Sequence, residues 1–170
     1  MWKYTGQRRP PFAEQPGPGQ ESVWDYPRPP ALVSTDAVVE VLFGSLMLAR
    51  SSACLRVLET ASPPTYYLPS QDVDWTMLVR TSGTSYCEWK GMATYWALAS
   101  NPAAGNVAWR YEDPCERFEA IDGYVSFYPG RVDCRVNSEQ VKPQPGAFYG
   151  GWITRGITGP YKGEPGTGHW

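Results

Sequence analysis

The run Ser85-Tyr86-Cys87-Glu88-Trp89-Lys90-Gly91-Met92-Ala93-Thr94-Tyr95-Trp96-Ala97-Leu98 decides the fold class. Its aromatic residues favour the pleated, half-buried surface of a sheet over a helix. Gly91 divides it into two strands, because glycine in a strand run marks a bend or a break. If the first strand runs from Ser85 to Trp89, then Ser85, Cys87 and Trp89 share one face. Lys90 then sits at the kink, among Trp89, Tyr95 and Trp96.

Similar runs lie on both sides. Upstream, Val39-Glu40-Val41-Leu42-Phe43 and Leu46-Met47-Leu48-Ala49 flank Gly44-Ser45 and predict a hairpin. Cys54 to Glu59 reads equally as strand or short helix. Thr65-Tyr66-Tyr67-Leu68 follows the break at Pro63-Pro64 and reads as strand. Ser70 is placed to cap a helical turn through Asp72 and Val73, and Trp75 to Arg80 returns to strand. Downstream, Val107 to Tyr111 is a strand and Cys115 to Phe118 a brief helical piece. Tyr124–Tyr128 and Arg131–Val136 predict a second hairpin around Pro129-Gly130. Many short strands with frequent turns give a mostly-β domain. Gly and Pro number 17 each among 170 residues, which excludes a coiled coil or long-helix bundle.

The organisation read from composition is a Pro-rich arm over 1–30, a β core over 31–142 and a Gly, Pro and aromatic arm over 143–170. Trp2, Tyr4, Phe12, Trp24 and Tyr26 in the first arm argue that it packs on the core. Charge narrows the partners. A net charge of −2 and a pI near 5.4 argue against nucleic acid and anionic membranes. No apolar stretch approaches the ~18 residues of a membrane span, and the first residues carry no secretory pattern. A soluble, cytoplasmic protein is the expectation. Cys54, Cys87, Cys115 and Cys134 include no close pair, so they read as small buried hydrophobes, with no metal site and no disulfides.

Several runs together resemble the domain of unknown function 427 family, a bacterial and fungal group. They are Glu21-Ser22-Val23-Trp24-Asp25-Tyr26-Pro27-Arg28-Pro29-Pro30; Leu55-Arg56-Val57-Leu58-Glu59-Thr60 with Pro63-Pro64-Thr65-Tyr66-Tyr67; Cys87-Glu88-Trp89-Lys90-Gly91; Phe127 to Asp133; and Gln144 to Trp152. The resemblance implies a compact antiparallel β domain similar to the β-tent architecture, in which two sheets meet at an angle. It implies no settled activity, although the family is sometimes labelled nucleotidyltransferase-like.

Three functional readings follow from the residues. The first is a small-molecule pocket lined by aromatic and cationic side chains. Tyr66, Arg80, Trp89, Trp109, Tyr128 and Arg131 would bind the ligand, with Arg56, Tyr67 and Tyr111 nearby. Lys90, Cys87 and Tyr95 are its candidate catalytic residues. A lysine among aromatic rings either loses its proton and becomes a nucleophile or base, or binds an anion as a point charge. The second reading is metal-dependent nucleotidyl transfer, with Asp72 and Asp74 holding magnesium and Gly44-Ser45 at the triphosphate. The third is an interaction module or homodimer joined through Trp2, Trp24, Phe148, Tyr149 and Trp152 of the arms. His169 stands alone near the C-terminus, so triads built on histidine are not expected. The ligand and any cofactor stay unspecified.

Overall fold

The computed structural model describes residues 1–170, and almost all of its regular structure is strand. Fifteen strands follow in chain order: β1 (Glu21–Ser22), β2 (Ala31–Ser34), β3 (Val39–Phe43), β4 (Leu46–Ser51), β5 (Leu55–Leu58), β6 (Thr65–Tyr67), β7 (Leu78–Cys87), β8 (Gly91–Leu98), β9 (Asn106–Tyr111), β10 (Val125–Phe127), β11 (Asp133–Val136), β12 (Glu139–Gln140), β13 (Lys142–Pro143), β14 (Trp152–Ile153) and β15 (Ile157–Thr158). Helical structure is confined to short 3-10 turns, the longest spanning Glu116–Ile121. No helix is long and apolar enough to cross a membrane.

Two four-stranded antiparallel sheets carry the fold, in the orders β10-β9-β8-β7 and β12-β11-β3-β4. A three-stranded sheet, β2-β5-β6, meets the first of them through a bridge between Leu68 and Val125. The expected hairpin at Gly44-Ser45 is present as β3–β4, and the segment that left strand and helix open is strand β5.

Three local expectations need correction. Trp75–Met77 is a 3-10 turn in which Asp74 accepts from the Thr76 amide as a cap, so β7 begins only at Leu78. Ser70 lies inside its own turn and its side chain caps nothing; Pro69 occupies the cap position. Tyr124–Val136 is not a hairpin. β10 pairs with β9 in one sheet, while β11 pairs with β3 in the other. The chain crosses between sheets at Pro129-Gly130, where the amides of Arg131 and Val132 both bond the Tyr128 carbonyl. A two-residue turn signal fixes the bend but not the partner of the strand that follows it.

Alternation along the strands sorts side chains into two separate cores. On β6, Tyr66 enters the main core and Tyr67 the second one. On β8, Trp96 and Leu98 take the main core, while Ala93 and Tyr95 face the second. The main core is apolar and lies between the two large sheets, with Val39, Val41, Leu48, Val125, Phe127 and Trp152 fully enclosed. The second is aromatic: Tyr67, Trp109, Tyr111 and Phe118, with Val57, Ala93 and Ile121. The two ends of the chain build a third cluster. β1 pairs with β15 in parallel, and Trp24 is completely buried there beside Val23, Tyr26, Ala61 and Ile157.

Candidate functional site

Lys90 marks the site. β7 ends at Cys87, so Glu88, Trp89 and Lys90 form the turn and not the continuation of a strand. The expected common face of Cys87 and Trp89 therefore does not extend along a strand. Gly91 opens β8 with φ of +101°, a value that a side chain would strain. This turn folds the lysine inward, over the second core. Its Nζ lies 5.6 Å from the Tyr111 ring and 5.8 Å from the Phe118 ring. Trp96, expected beside it, belongs to the opposite face and packs against Trp75 at 4.7 Å.

The fold buries three charged side chains, and all three are cations: Arg28, Lys90 and Lys162, at 7%, 9% and 7% exposure. One of them, Arg28, is paired with a half-buried carboxylate. Glu59 accepts from Arg28 Nε at 3.2 Å, and its charge also acts on Lys90 and Lys162. Arg28 Cζ and Lys162 Nζ both lie over the Trp2 ring, 4.1 Å and 4.6 Å from its centroid. Lys162 Nζ lies 5.7 Å from the Tyr149 ring and donates to the Trp170 carbonyl at 3.2 Å. Neither lysine has a carboxylate within 4.0 Å.

Both arms are needed to assemble this group. The first supplies Trp2 and Arg28, and the second supplies Tyr149 and Lys162. The buried Gln144 side chain donates to the Lys162 carbonyl at 2.7 Å and accepts from the Gly151 amide at 3.0 Å, tying the second arm to itself. Gly150 lies flat on Trp109: a Cβ there would stand 2.3 Å from the indole. Beside it an open groove of about 430 Å³ runs between Tyr128–Arg131 and Pro143–Tyr149.

The two lysines titrate in opposite directions. For Lys90 burial opposes the charged form most strongly, yet the Tyr67 hydroxyl, the Cys87 thiol and Glu59 together outweigh it, and its pKa lies above the ordinary value. That direction is opposite to the deprotonated alternative and leaves the charged, point-charge alternative for this lysine. Lys162 is shifted down, first by burial and next by the Arg28 charge. Burial pushes Tyr67 and Tyr111 up, so both remain phenols at neutral pH.

The other anticipated residues divide between this face and elsewhere. Cys87, Trp89, Tyr95, Trp109 and Tyr128 belong to the second core or pack against it. Tyr95 shares a 2.6 Å hydrogen bond with Ser85, and Trp109 Nε1 donates to Tyr67 Oη at 3.1 Å while its ring meets Tyr128 at 4.5 Å. Arg131 is exposed, stacked on Tyr128 at 4.3 Å, and edges the groove. Tyr66 faces away into the main core, against Trp152 at 5.1 Å. Arg80 is on the surface, 3.7 Å from Glu112. Arg56 pairs with Glu21 at 2.7 Å in the arm region.

A family model for a Domain of unknown function (DUF427) matches residues 31–138, more than half of the chain. The chain belongs to that family. No curated protein matches it. Arg28 and Lys162, two of the three buried cations, lie outside the matched span, whereas Glu59 and Lys90 lie within it.

Sequence reasoning found Lys90 but not its neighbours. Arg28 and Glu59 stand in the runs Tyr26-Pro27-Arg28-Pro29-Pro30 and Leu58-Glu59-Thr60 that carry the family resemblance, so a signal was present. Lys162 sits in a stretch with no periodicity and gave none. The magnesium reading gains no geometry. Asp74 bonds Thr76 as a cap, Asp72 lies in the preceding turn, and Gly44-Ser45 is the β3–β4 hairpin turn. No three His, Cys, Asp or Glu side chains come together as metal ligands, so these residues do not fit the group that nucleotidyl transfer needs.

Proposed function

We propose that this protein binds a small anionic ligand at the junction of Lys90, Arg28 and Lys162. One observation carries the reading: every charged side chain the fold buries is positive, and only Arg28 is paired with an Asp or Glu side chain, that of Glu59. Burying a cation without a partner is costly, and an anion offsets that cost. Arg28 already donates to Glu59 and to the Tyr4 and Thr60 carbonyls, so it contributes charge, and the two lysines offer compact point charges. Trp2, Tyr149, Tyr111 and Phe118 supply aromatic surface for an apolar body, as small-molecule sites commonly do. The groove between Tyr128 and Tyr149 is the approach, since Tyr149 belongs both to its lining and to the Lys162 surroundings.

Calorimetric titration with inorganic phosphate and with citrate, at low salt and pH 7, tests this. Saturable binding in the millimolar range or tighter is expected, weakened at least tenfold in Lys90→Met. Absence of heat with both anions, or equal binding by Lys90→Met, would overturn the reading.

A further inference from the structure

The groove beside the second arm is built around one charge. Its walls are the Tyr128–Arg131 turn and the Pro143–Tyr149 segment, and Arg131 is the only charged residue that lines it. The amides of Arg131 and Val132 bond the Tyr128 carbonyl, at 2.9 Å and 3.1 Å, which fixes the backbone there. The exposed side chain folds back over Tyr128, its Cζ 4.3 Å from the ring centroid. Its one hydrogen bond runs from Nη1 to the Asn106 carbonyl, at 2.5 Å. No Asp or Glu oxygen lies within 4.0 Å of it. The Nε–Nη2 edge of the guanidinium is therefore left open, and such an edge donates in parallel to both oxygens of a carboxylate. The walls are preformed. Tyr128 is backed by the Trp109 ring at 4.5 Å, and the buried Gln144 side chain ties the opposite wall to Gly151 and Lys162. The two walls meet where Gly130 lies against Pro143: a Cβ on the glycine would stand 3.4 Å from that ring.

We infer that this groove binds an aromatic carboxylate, with the acid group on the Nε–Nη2 edge of Arg131 and the ring between Tyr128 and Tyr149. Charge selects the acid: the groove holds one cation and no acidic side chain. Shape selects the body. A volume of about 430 Å³ is within the range of small-molecule sites and far exceeds what a bare carboxylate fills. A tyrosine on each wall offers ring faces and edges to a flat, apolar group. This goes beyond the anion site at Lys90, for which the groove is only the approach. It is a second position, held by an exposed cation, and it stands whether or not the buried cations take an anion.

The test is titration of the intact, isotopically labelled chain with benzoate at pH 7, followed through its amide NMR signals. Saturable shifts are expected at Arg131, Gly146 and Tyr149. Neutral benzamide, of the same size, should bind about tenfold more weakly, because it lacks the charge that Arg131 pairs with. Cyclohexanecarboxylate, with the same charge and a puckered saturated ring, should also bind more weakly. Shifts confined to other parts of the chain, or equal affinity for benzoate and benzamide, would overturn the inference. Equal affinity for benzoate and cyclohexanecarboxylate would overturn the aromatic class. Arg131→Met should weaken benzoate binding about tenfold, and unchanged binding would overturn the role of the guanidinium. Phosphate added alone reports the other site through the Gly91 and Tyr111 amides, so the two readings fail separately.

Discussion

The main core and the arm-covered aromatic face are built from opposite sides of the same strands, and they obey different rules. Between the two large sheets the side chains are apolar; the Trp152 indole donates to the Phe127 carbonyl at 3.0 Å, while Trp96 Nε1 is buried without a partner. On the other side, Tyr111 and Phe118 lie beneath buried Lys90, while buried Arg28 and Lys162 lie over Trp2 of the first arm. The first arrangement lowers free energy by removing apolar surface from water. The second retains polar groups that a core selected for stability alone would replace. The fold's stability therefore resides mainly in the first, and the proposed anion binding belongs to the second.

Four substitutions probe that contrast. The largest effect is expected for Trp152→Ala. This fully buried indole joins the second arm to the main core, and its loss should cost about 4 kcal/mol in denaturant unfolding, with or without anion. A variant that unfolded easily only when phosphate was absent would erase the distinction between the two regions. Glu59→Gln comes next. Removing the carboxylate paired with buried Arg28 should destabilise by about 2 kcal/mol at low salt. The same change should tighten phosphate binding, and weaker binding would mean that Glu59 organises the site more than it opposes the ligand.

Lys90→Met should do the reverse. An apolar chain of similar length on Tyr111 and Phe118 should leave the ligand-free protein as stable as wild type, or more so by about 1 kcal/mol, while reducing its response to anions. A large destabilisation would show Lys90 to be a structural cation. The smallest effect is expected at Glu21, away from both regions. Hydrogen bonds from Arg56 hold its carboxyl below the ordinary value of 4.5. Its contribution is complete above that value and is lost as pH falls below it, through the lower folded-state pKa. Because the side chain is half exposed, the Glu21→Gln protein should lack only about 0.5 kcal/mol of acid-dependent stability, seen by comparing unfolding at pH 6 and pH 3.

The sequence revealed local structure better than long-range assembly. The β3–β4 hairpin and the division at Gly91 were legible because adjacent strands with a tight turn leave a local pattern. The exchange of sheets at Pro129-Gly130 was not, since β11 finds its partner β3 some ninety residues away. The aromatic run pointed to Lys90, but which rings surround it depends on whether the strand ends at Cys87 or at Trp89. A shift of two residues there replaced Trp96 by Tyr111 and Phe118 as its neighbours. Arg28, Glu59 and Lys162 meet only because the chain's two ends pair as β1 and β15, a parallel contact that no periodicity announces.

The central claim is that the buried lysines, neither of which has an Asp or Glu side chain within 4.0 Å, form an anion site. The most direct measurement is the thermal midpoint as a function of phosphate at pH 7, with chloride adjusted to hold ionic strength constant. Wild type is compared with Lys90→Met/Lys162→Met and with a control, Lys3→Met/Lys142→Met, that removes the two exposed lysines. The account predicts a saturating rise in wild type and control and a nearly flat response in the variant lacking the buried pair. A rise of equal size in all three would mean that phosphate acts by general exclusion from the surface, and would contradict it.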